Sequence, residues 1–216
     1  MDPYNFLVTV LVYAIPVIFA ITLHEAAHGY VARHFGDTTA YMLGRVSLNP
    51  MKHIDPLGTV LLPLVTLLLS GFMFGWAKPV PVNFNNLRDP KRDMLWVAAA
   101  GPGSNVAQMA VWAVVARVLA SLPGTQVGAF WMSVAEAGIT VNVAFAILNL
   151  FPLLPLDGGR MVMSLLPNKL SYQYSRLEPY GMVILIVLIL TGVLGYILNP
   201  LMTVTLDRIY ALAGLG

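Results

Sequence analysis

Five long apolar runs, separated by stretches rich in proline and glycine, constrain the fold of this chain more than any other feature. Several of them reach or exceed the roughly 20 residues that an α-helix needs to cross a bilayer. We therefore predict an all-α polytopic membrane protein with about four to five transmembrane helices. The runs are about Tyr4 to His34, Leu57 to Trp76, Asp93 to Leu122, Val127 to Leu154, and Tyr180 to Leu198.

The composition agrees with this class. Of the 216 residues, 58% are hydrophobic and only 10% are charged, whereas a soluble globular domain usually carries about 25% charged residues. The simplest organisation is one domain over residues 1–216, embedded in the lipid bilayer. The net charge of +2 is too small to indicate nucleic-acid binding. Because the chain has no cysteine, any metal must be bound by His, Asp or Glu.

The segment His24-Glu25-Ala26-Ala27-His28 matches the H-E-x-x-H pattern. Residues four positions apart share one face of a helix, so both imidazoles can reach one ion, with Glu25 beside them. Zinc acidifies water, and a neighbouring carboxylate can take the proton and pass it to a leaving amine. The pattern therefore indicates peptide hydrolysis with Zn²⁺ as cofactor, although two histidines and an aspartate would also accept other divalent ions.

The position of this pattern separates a metal site from a chance match. A pattern with three fixed positions in five residues also occurs by chance on the surfaces of soluble proteins, where it has no function. Here the pattern lies inside an apolar helix, where each ionisable side chain costs a few kcal/mol and by default marks a functional site. Two histidines and a glutamate at such a place indicate a bound ion.

A catalytic zinc usually has three protein ligands, so one more is required. Asp157 is the outstanding candidate, because it follows the fourth apolar run in the sequence Asn149-Leu-Phe-Pro-Leu-Leu-Pro-Leu-Asp157-Gly158-Gly159. The two prolines should break the helix, and the two glycines should let the backbone turn and aim the carboxylate inward. The other interpretation of Asp-Gly-Gly is an ordinary turn at a helix end.

These motifs together resemble the site-2 protease family of intramembrane zinc metalloproteases. The resemblance rests on H-E-x-x-H in one membrane helix and N-x-x-P-x-x-P-L-D-G-G far downstream. It extends through Gly75-Trp-Ala-Lys-Pro-Val-Pro-Val82 and through Gly101-Pro-Gly-Ser-Asn105, which is similar to the G-P-x-x-N element of the family. The chain is most similar to small prokaryotic members, since it lacks the peptide-binding domain that other members insert.

The resemblance implies a role for five residues. His24, His28 and Asp157 look like the zinc ligands, and Glu25 looks like the catalytic glutamate. Asn149 matches an asparagine that acts near the substrate or the oxyanion, although a packing role between helices is an alternative. The implied partners are membrane-embedded protein substrates, cleaved in regulated intramembrane proteolysis.

The ligand positions make a demand on topology. His24 lies roughly 30 Å into the first helix and Asp157 follows the fourth run, so both helices must cross the bilayer in the same direction. One of the two intervening runs should then not cross, and we expect Leu57 to Trp76 to re-enter. Ten of the 12 basic residues then lie on the motif side, with only Arg117 and Arg208 opposite. This predicts four crossings, with the zinc near the cytoplasmic side of a prokaryotic membrane.

Other segments carry weaker signals. Alternation over residues 40–48 predicts a short β-hairpin near the active site, able to pair edge-on with an extended substrate. His53 could contact the substrate or a residue that holds a ligand, or could be an ordinary loop histidine. Arg160 could reach a lipid phosphate or a helix carbonyl. Glu136 is a membrane carboxylate with a possible interfacial explanation, and the tail from Leu201 to Leu212 could be a kinked helix or lie on the membrane.

Two other functional classes fit part of the pattern. A metal transporter also places His and Asp in membrane helices, but transport usually needs several graded sites and a path open to each side. An inactive scaffold could bind membrane helices without cutting them, but such a protein is free to lose any of the four motif residues. The substrate and the oligomeric state are not determined by the sequence.

Overall fold

A computed structural model describes residues 3–61, 64–65, 75, 77–122 and 124–215 of the chain. Within these ranges all regular structure is helical, and the long helices follow the apolar runs. Short 3₁₀ turns cover Pro50–Lys52 and Phe84–Asn86, and a π-helical turn covers Pro56–Leu61. The α-helices are α1 (Pro3–His34), α2 (Thr39–Met42), α3 (Pro90–Ala120), α4 (Gln126–Asn149), α5 (Asp157–Leu165), α6 (Asn168–Ser175), α7 (Glu178–Leu190) and α8 (Val193–Ala213).

Three of the described helices, α1, α3 and α4, are long and apolar enough to cross a membrane. The helices α6 and α7 are bent by 62° relative to each other and would supply a fourth span if they act as one. The all-α polytopic class is therefore confirmed, with three to four candidate spans. The fifth run is divided at Gly192, which has φ +74°, and α8 then continues as a helix through Pro200 into the tail.

The helices α1 and α4 run in the same direction. Val12 packs against Val134, and each of these residues lies in the first half of its helix. Farther along, His24 contacts Asn105 of α3, and Asn105 contacts Asn142 of α4. Because residue numbers rise together along the two helices, they are parallel, as the shared metal site requires.

The second apolar run has both ends on the same side of the bundle. The Lys78 N–H donates to the His53 carbonyl at 3.0 Å, so the residues that flank the run meet. Leu87 then joins a cluster with Ala32 near the end of α1, shortly before α3 begins. This arrangement is what a non-crossing segment requires. Most of the run itself lies outside the described residues.

The β-hairpin expected over residues 40–48 is wrong, because this stretch begins with the short helix α2. The Asp37 carboxylate accepts hydrogen bonds from the backbone N–H and the hydroxyl of Thr39, which favours a helical turn at this point. Gly44, at φ +62°, ends the turn, and the Arg45 N–H donates to the Ala40 carbonyl at 2.8 Å. A short helix that ends at a left-handed glycine therefore replaces the expected hairpin.

Candidate metal centre

Three ligand atoms converge between α1 and the start of α5. His24 Nε2 lies 3.1 Å from His28 Nε2 and 3.2 Å from Asp157 Oδ2, and His28 Nε2 lies 3.4 Å from Asp157 Oδ1. Ligands bound to tetrahedral zinc at 2.0–2.1 Å are about 3.3 Å apart. The observed spacing therefore fits a single Zn²⁺.

The carboxylate of Asp157 is placed as a ligand should be. Its side chain is 13% exposed, and within the described part of the chain its buried Oδ2 has no hydrogen-bond partner. A buried acceptor without a donor is costly unless an ion or a solvent molecule satisfies it. The donor set of two imidazoles and one carboxylate is also the chemistry that zinc prefers.

The two glycines after Asp157 act by close packing and not by turning the chain. Both lie in α5, and neither has a positive φ. A Cβ at Gly158 would overlap the Leu150 carbonyl, and a Cβ at Gly159 would lie 2.5 Å from the Leu153 carbonyl carbon. The absence of side chains therefore lets the start of α5 lie directly on the turn that follows α4, which brings Asp157 to the histidines.

Both imidazoles are held through the nitrogen that faces away from the ligand cluster. His24 Nδ1 lies 2.6 Å from Asn105 Oδ1, and His28 Nδ1 lies 2.7 Å from the Val97 carbonyl. Acceptors at Nδ1 favour the tautomer with the proton there, which leaves Nε2 as a lone-pair donor. Both histidines therefore present the correct atom to a metal.

Gly101 provides the space that the two rings occupy. A Cβ at this position would lie 2.5 Å from Nε2 of both His24 and His28. The backbone of α3 thus forms one wall of the metal centre. The G-P-x-x-N element contributes both this wall and the Asn105 contact, since Gly101 and Asn105 lie one turn apart on α3.

Glu25 lies in the same cleft, beside the two histidines. Its Oε2 accepts a hydrogen bond from the Val80 N–H at 2.7 Å. The cleft has a volume of about 340 Å³, and Asn149 also lines it. The five residues named from the sequence are therefore brought together. The full lining is His24, Glu25, His28, Pro79, Val80, Val82, Phe84, Val97, Ala98, Asn149, Pro155, Leu156, Asp157 and Arg160.

The segment that holds Glu25 is anchored to the preceding loop. Residues 77–83 carry no helix, and the Arg45 guanidinium donates to the carbonyls of Lys78 and Pro79 at 2.9 and 3.2 Å. His53 is fully buried and its Nε2 lies 2.8 Å from the Ser47 carbonyl. It therefore helps to shape the loop, and the structure does not bring it to the metal centre.

A second anchor, Asp37, lies at the other end of the same segment. It is fully buried and accepts hydrogen bonds from Thr39, from the Asn83 N–H at 2.7 Å and from Asn86 at 3.2 Å. Burial alone would raise the pKa of Asp37, but these hydrogen bonds outweigh burial and lower the pKa. Asp37 follows α1 directly, so it links the helix that carries the histidines to residues 83–86.

Two polar side chains of the cleft have partners that the sequence did not indicate. The Arg160 guanidinium forms an ion pair with Glu178 at 3.0 Å, a partner other than the lipid phosphate or helix carbonyl expected from the sequence. Asn149 donates one amide hydrogen to the Phe145 carbonyl of its own helix at 3.0 Å. This bond orients the side chain and leaves its second N–H available.

Sequence reasoning also missed Asn142, which is fully buried in α4. It accepts a hydrogen bond from Asn105 Nδ2 at 2.9 Å and donates to the Gly138 carbonyl at 2.9 Å. The available signal was an amide two helical turns before Asn149 within an otherwise apolar run.

Known proteins similar to this chain agree in family. The family model described as peptidase family M50 matches residues 120–192, a region that includes Asn149 and Asp157. A Bacillus subtilis (strain 168) protein named "Putative zinc metalloprotease YwhC" is 35% identical over 201 residues, which cover 92% of this chain and 89% of that protein. The part of the chain outside this match is shorter than the segment before His24, so the match includes the H-E-x-x-H motif.

Two mycobacterial relatives are more distant. The proteins named "Putative zinc metalloprotease Rip2" from Mycolicibacterium smegmatis (strain ATCC 700084 / mc(2)155) and Mycobacterium tuberculosis (strain ATCC 25618 / H37Rv) are each 27% identical. Both matches cover 82% of this chain and 66% of the relative. No solved structure gives a significant match. The motifs, the spacing of the ligand atoms and the similarity to the Bacillus protein over 92% of the chain lead to one conclusion: the chain belongs to peptidase family M50, the site-2 protease family of zinc metalloproteases.

Proposed function

We propose that this protein hydrolyses peptide bonds within the membrane-spanning segments of protein substrates, with zinc held by His24, His28 and Asp157. The observation that carries this proposal is the depth of the ligand group inside the helix bundle. His24 precedes the end of α1 at His34 by about 15 Å along the helix axis. A peptide bond that reaches the metal centre must therefore enter the bundle at membrane depth.

Glu25 is proposed to move the protons. Bound zinc supplies Lewis-acid catalysis and acidifies water. The Glu25 carboxylate accepts a proton from the attacking water and later delivers it to the leaving amine. The Val80 N–H fixes one carboxylate oxygen, which keeps the side chain directed into the cleft and leaves the second oxygen for the proton.

Asn149 is proposed to contact the substrate at the reacting carbonyl or along its backbone. An amide group has two N–H donors, and the Phe145 carbonyl uses one of them. The second can stabilise negative charge that develops on the substrate oxygen. Because the helix bond already fixes the amide, this donor needs little reorganisation when the substrate binds.

The segment 77–83 takes over the substrate-pairing role that the sequence analysis assigned to a hairpin at residues 40–48. Val80 and Val82 line the cleft, and the flanking prolines have no N–H, so they cannot join a helix interior or a central strand. We expect an unwound, extended substrate to lie along this segment and to pair with the backbone of Val82, because the Val80 N–H is already bound to Glu25. Unwinding is needed because an intact helix keeps its carbonyls in hydrogen bonds.

The orientation of the metal centre follows from charge. With α1 and α4 parallel, and with His53 and Lys78 on either side of the second run in contact, the basic residues are expected to concentrate where α1 ends. The positive-inside rule then places the metal centre near the cytoplasmic face, where cleavage of a membrane-embedded substrate would release a cytoplasmic product in regulated intramembrane proteolysis.

The experiment compares the wild-type protein with Glu25→Gln in detergent. Both are incubated with a panel of single-span membrane proteins, and the zinc content of each is measured. We expect cleavage only by the wild type and about one zinc per chain in both. Glu136→Gln is the matched control, since Glu136 is a membrane carboxylate that does not line the cleft, and it should cleave normally.

Each other outcome contradicts a defined part of the proposal. Cleavage that persists in Glu25→Gln would remove Glu25 from the proton transfers. Zinc binding without cleavage of any substrate, including peptides that represent unwound spans, would favour the inactive scaffold. Absence of zinc from the wild type would remove the metal centre itself.

A further inference from the structure

Two buried amide side chains, Asn105 and Asn142, form a hydrogen-bonded relay from the metal centre to α3 and α4. His24 of α1 contacts Asn105 of α3 at 2.6 Å, and Asn105 Nδ2 donates to Asn142 Oδ1 of α4 at 2.9 Å. Asn142 Nδ2 then donates to the Gly138 carbonyl at 2.9 Å. Both asparagines are fully buried, so no solvent can substitute for these contacts.

The last acceptor of this relay, the Gly138 carbonyl, determines the direction of every hydrogen bond in the relay. A backbone carbonyl can only accept, so the Gly138 carbonyl requires the Asn142 NH₂ group on its side. Asn142 must then direct its oxygen at Asn105, which must donate with its own NH₂ group and turn its oxygen to His24. An oxygen at 2.6 Å from His24 Nδ1 requires a proton on Nδ1, and in the neutral ring Nε2 then keeps its lone pair.

We propose that Asn105 and Asn142 are positioning residues that act in series to hold His24 with Nε2 presented to the metal. The inference rests on the metal centre of the proposed function. His28 needs no such relay, because the Val97 carbonyl receives its Nδ1 proton directly at 2.7 Å. Each histidine is thus oriented by a backbone carbonyl, one directly and one through two amides.

Gln108 shows that a buried amide on α3 does not by itself join this relay. It lies about one turn beyond Asn105 and is 8% exposed. Neither its Oε1 nor its Nε2 has a hydrogen-bond partner in the described part of the chain. It is therefore the matched control for removing a buried amide from the same helix without disturbing His24.

The test measures zinc affinity by competition with a chelator on the purified, full-length protein. Removing a partner that orients a metal ligand typically weakens metal binding about 10–100-fold, and we expect a loss of this size for Asn105→Leu. Asn142→Leu should weaken binding in the same direction but less, because Asn105 keeps its oxygen and loses only its orientation. Gln108→Leu should bind zinc as the wild type does.

Two further variants separate positioning from general stability. Asn105→Asp should retain most of the affinity, because a carboxylate oxygen can still accept the His24 Nδ1 proton. The double variant Asn105→Leu/Asn142→Leu should bind no more weakly than Asn105→Leu alone, since residues in series share one effect. Helicity and elution volume identify any variant that has not folded, and Asn105→Asp and Asn142→Leu decide the matter if Asn105→Leu is lost.

The contrary results are distinct from a failure of the proposed function. Wild-type affinity in folded Asn142→Leu would remove Asn142 from the relay. Fold-losses that multiply in the double variant, or an equal loss in Gln108→Leu, would reduce both asparagines to packing residues. A wild-type protein that binds zinc but cleaves nothing would contradict the protease proposal and leave this inference intact, whereas a wild type without zinc would overturn both.

Discussion

Replacing Gly101 with alanine should remove the metal while leaving α3 intact. The added Cβ would lie 2.5 Å from Nε2 of both His24 and His28, whereas ordinary contacts begin at 3.4 Å. The rings would have to recede by roughly 0.9 Å, which is several times the tolerance of about 0.2 Å for ligand distances at a metal site. We therefore expect zinc affinity to fall more than about 100-fold, which exceeds the loss of an outer hydrogen-bond partner.

The assay is zinc content after dialysis, combined with chelator competition and circular dichroism. Gly103→Ala, on the same helix, is the control, because the added Cβ would meet nothing within 4 Å. Glycine in a helix interior is less stable than alanine by about 0.5–1 kcal/mol, so the control should be slightly stabilised and should retain zinc. Gly101→Ala with one zinc per chain at wild-type affinity would refute the geometry described for this wall of the metal centre.

Two other perturbations address the segment beside the cleft. Val80→Pro removes the N–H that holds Glu25, so turnover should fall about 10-fold or more with zinc content unchanged; unchanged turnover would show that the bond does not orient the carboxylate. Asp37→Asn should lower the free energy of unfolding by about 1–2 kcal/mol at neutral pH, because the charged acceptor for Thr39 and Asn83 is lost. Since the folded-state pKa of Asp37 lies below its ordinary value of 3.8, this difference should be complete above about pH 4 and should disappear as the pH falls through the lowered pKa. Unfolding in SDS at several pH values measures it, and a difference independent of pH would contradict the assignment.

The proposed metal ligands could be named from the sequence, because the spacing of the two histidines is local and few residue types can complete such a site. His24 and His28 share a helix face by spacing alone. Without cysteine, the third ligand had to be His, Asp or Glu, and Asp157 was selected by the prolines and glycines that surround it after the fourth run. The demand that the ligands lie at a common depth then predicted parallel helices α1 and α4, and the contacts of Val12 and His24 agree.

Other predictions failed where two local preferences competed. The alternating residues 40–48 suggested a hairpin, but Asp37 before the stretch and Gly44 within it stabilise a helical turn. The glycines after Asp157 suggested a flexible turn, but they lie in α5 and matter because the turn after α4 leaves no room for a Cβ. In each case the sequence pattern was present, but the structure that it adopts depends on neighbouring residues that are not part of the pattern.

The sequence by itself determined the membrane class, the long helices and the set of side chains able to bind zinc, because hydropathy and helical spacing act between near neighbours along the chain. Only the tertiary structure decided how that set is held: Gly101 against the imidazoles, Val80 on Glu25, Glu178 on Arg160, and the relay from Asn142 to His24. These contacts join residues between 18 and 81 positions apart. The Gly101 contact and the relay exist because α1, α3 and α4 pack closely enough to bury Asn105 and Asn142 completely, so that their amide groups pair across the helices. Val80 and Glu178 are brought to their partners by the segment 77–83 and by α7.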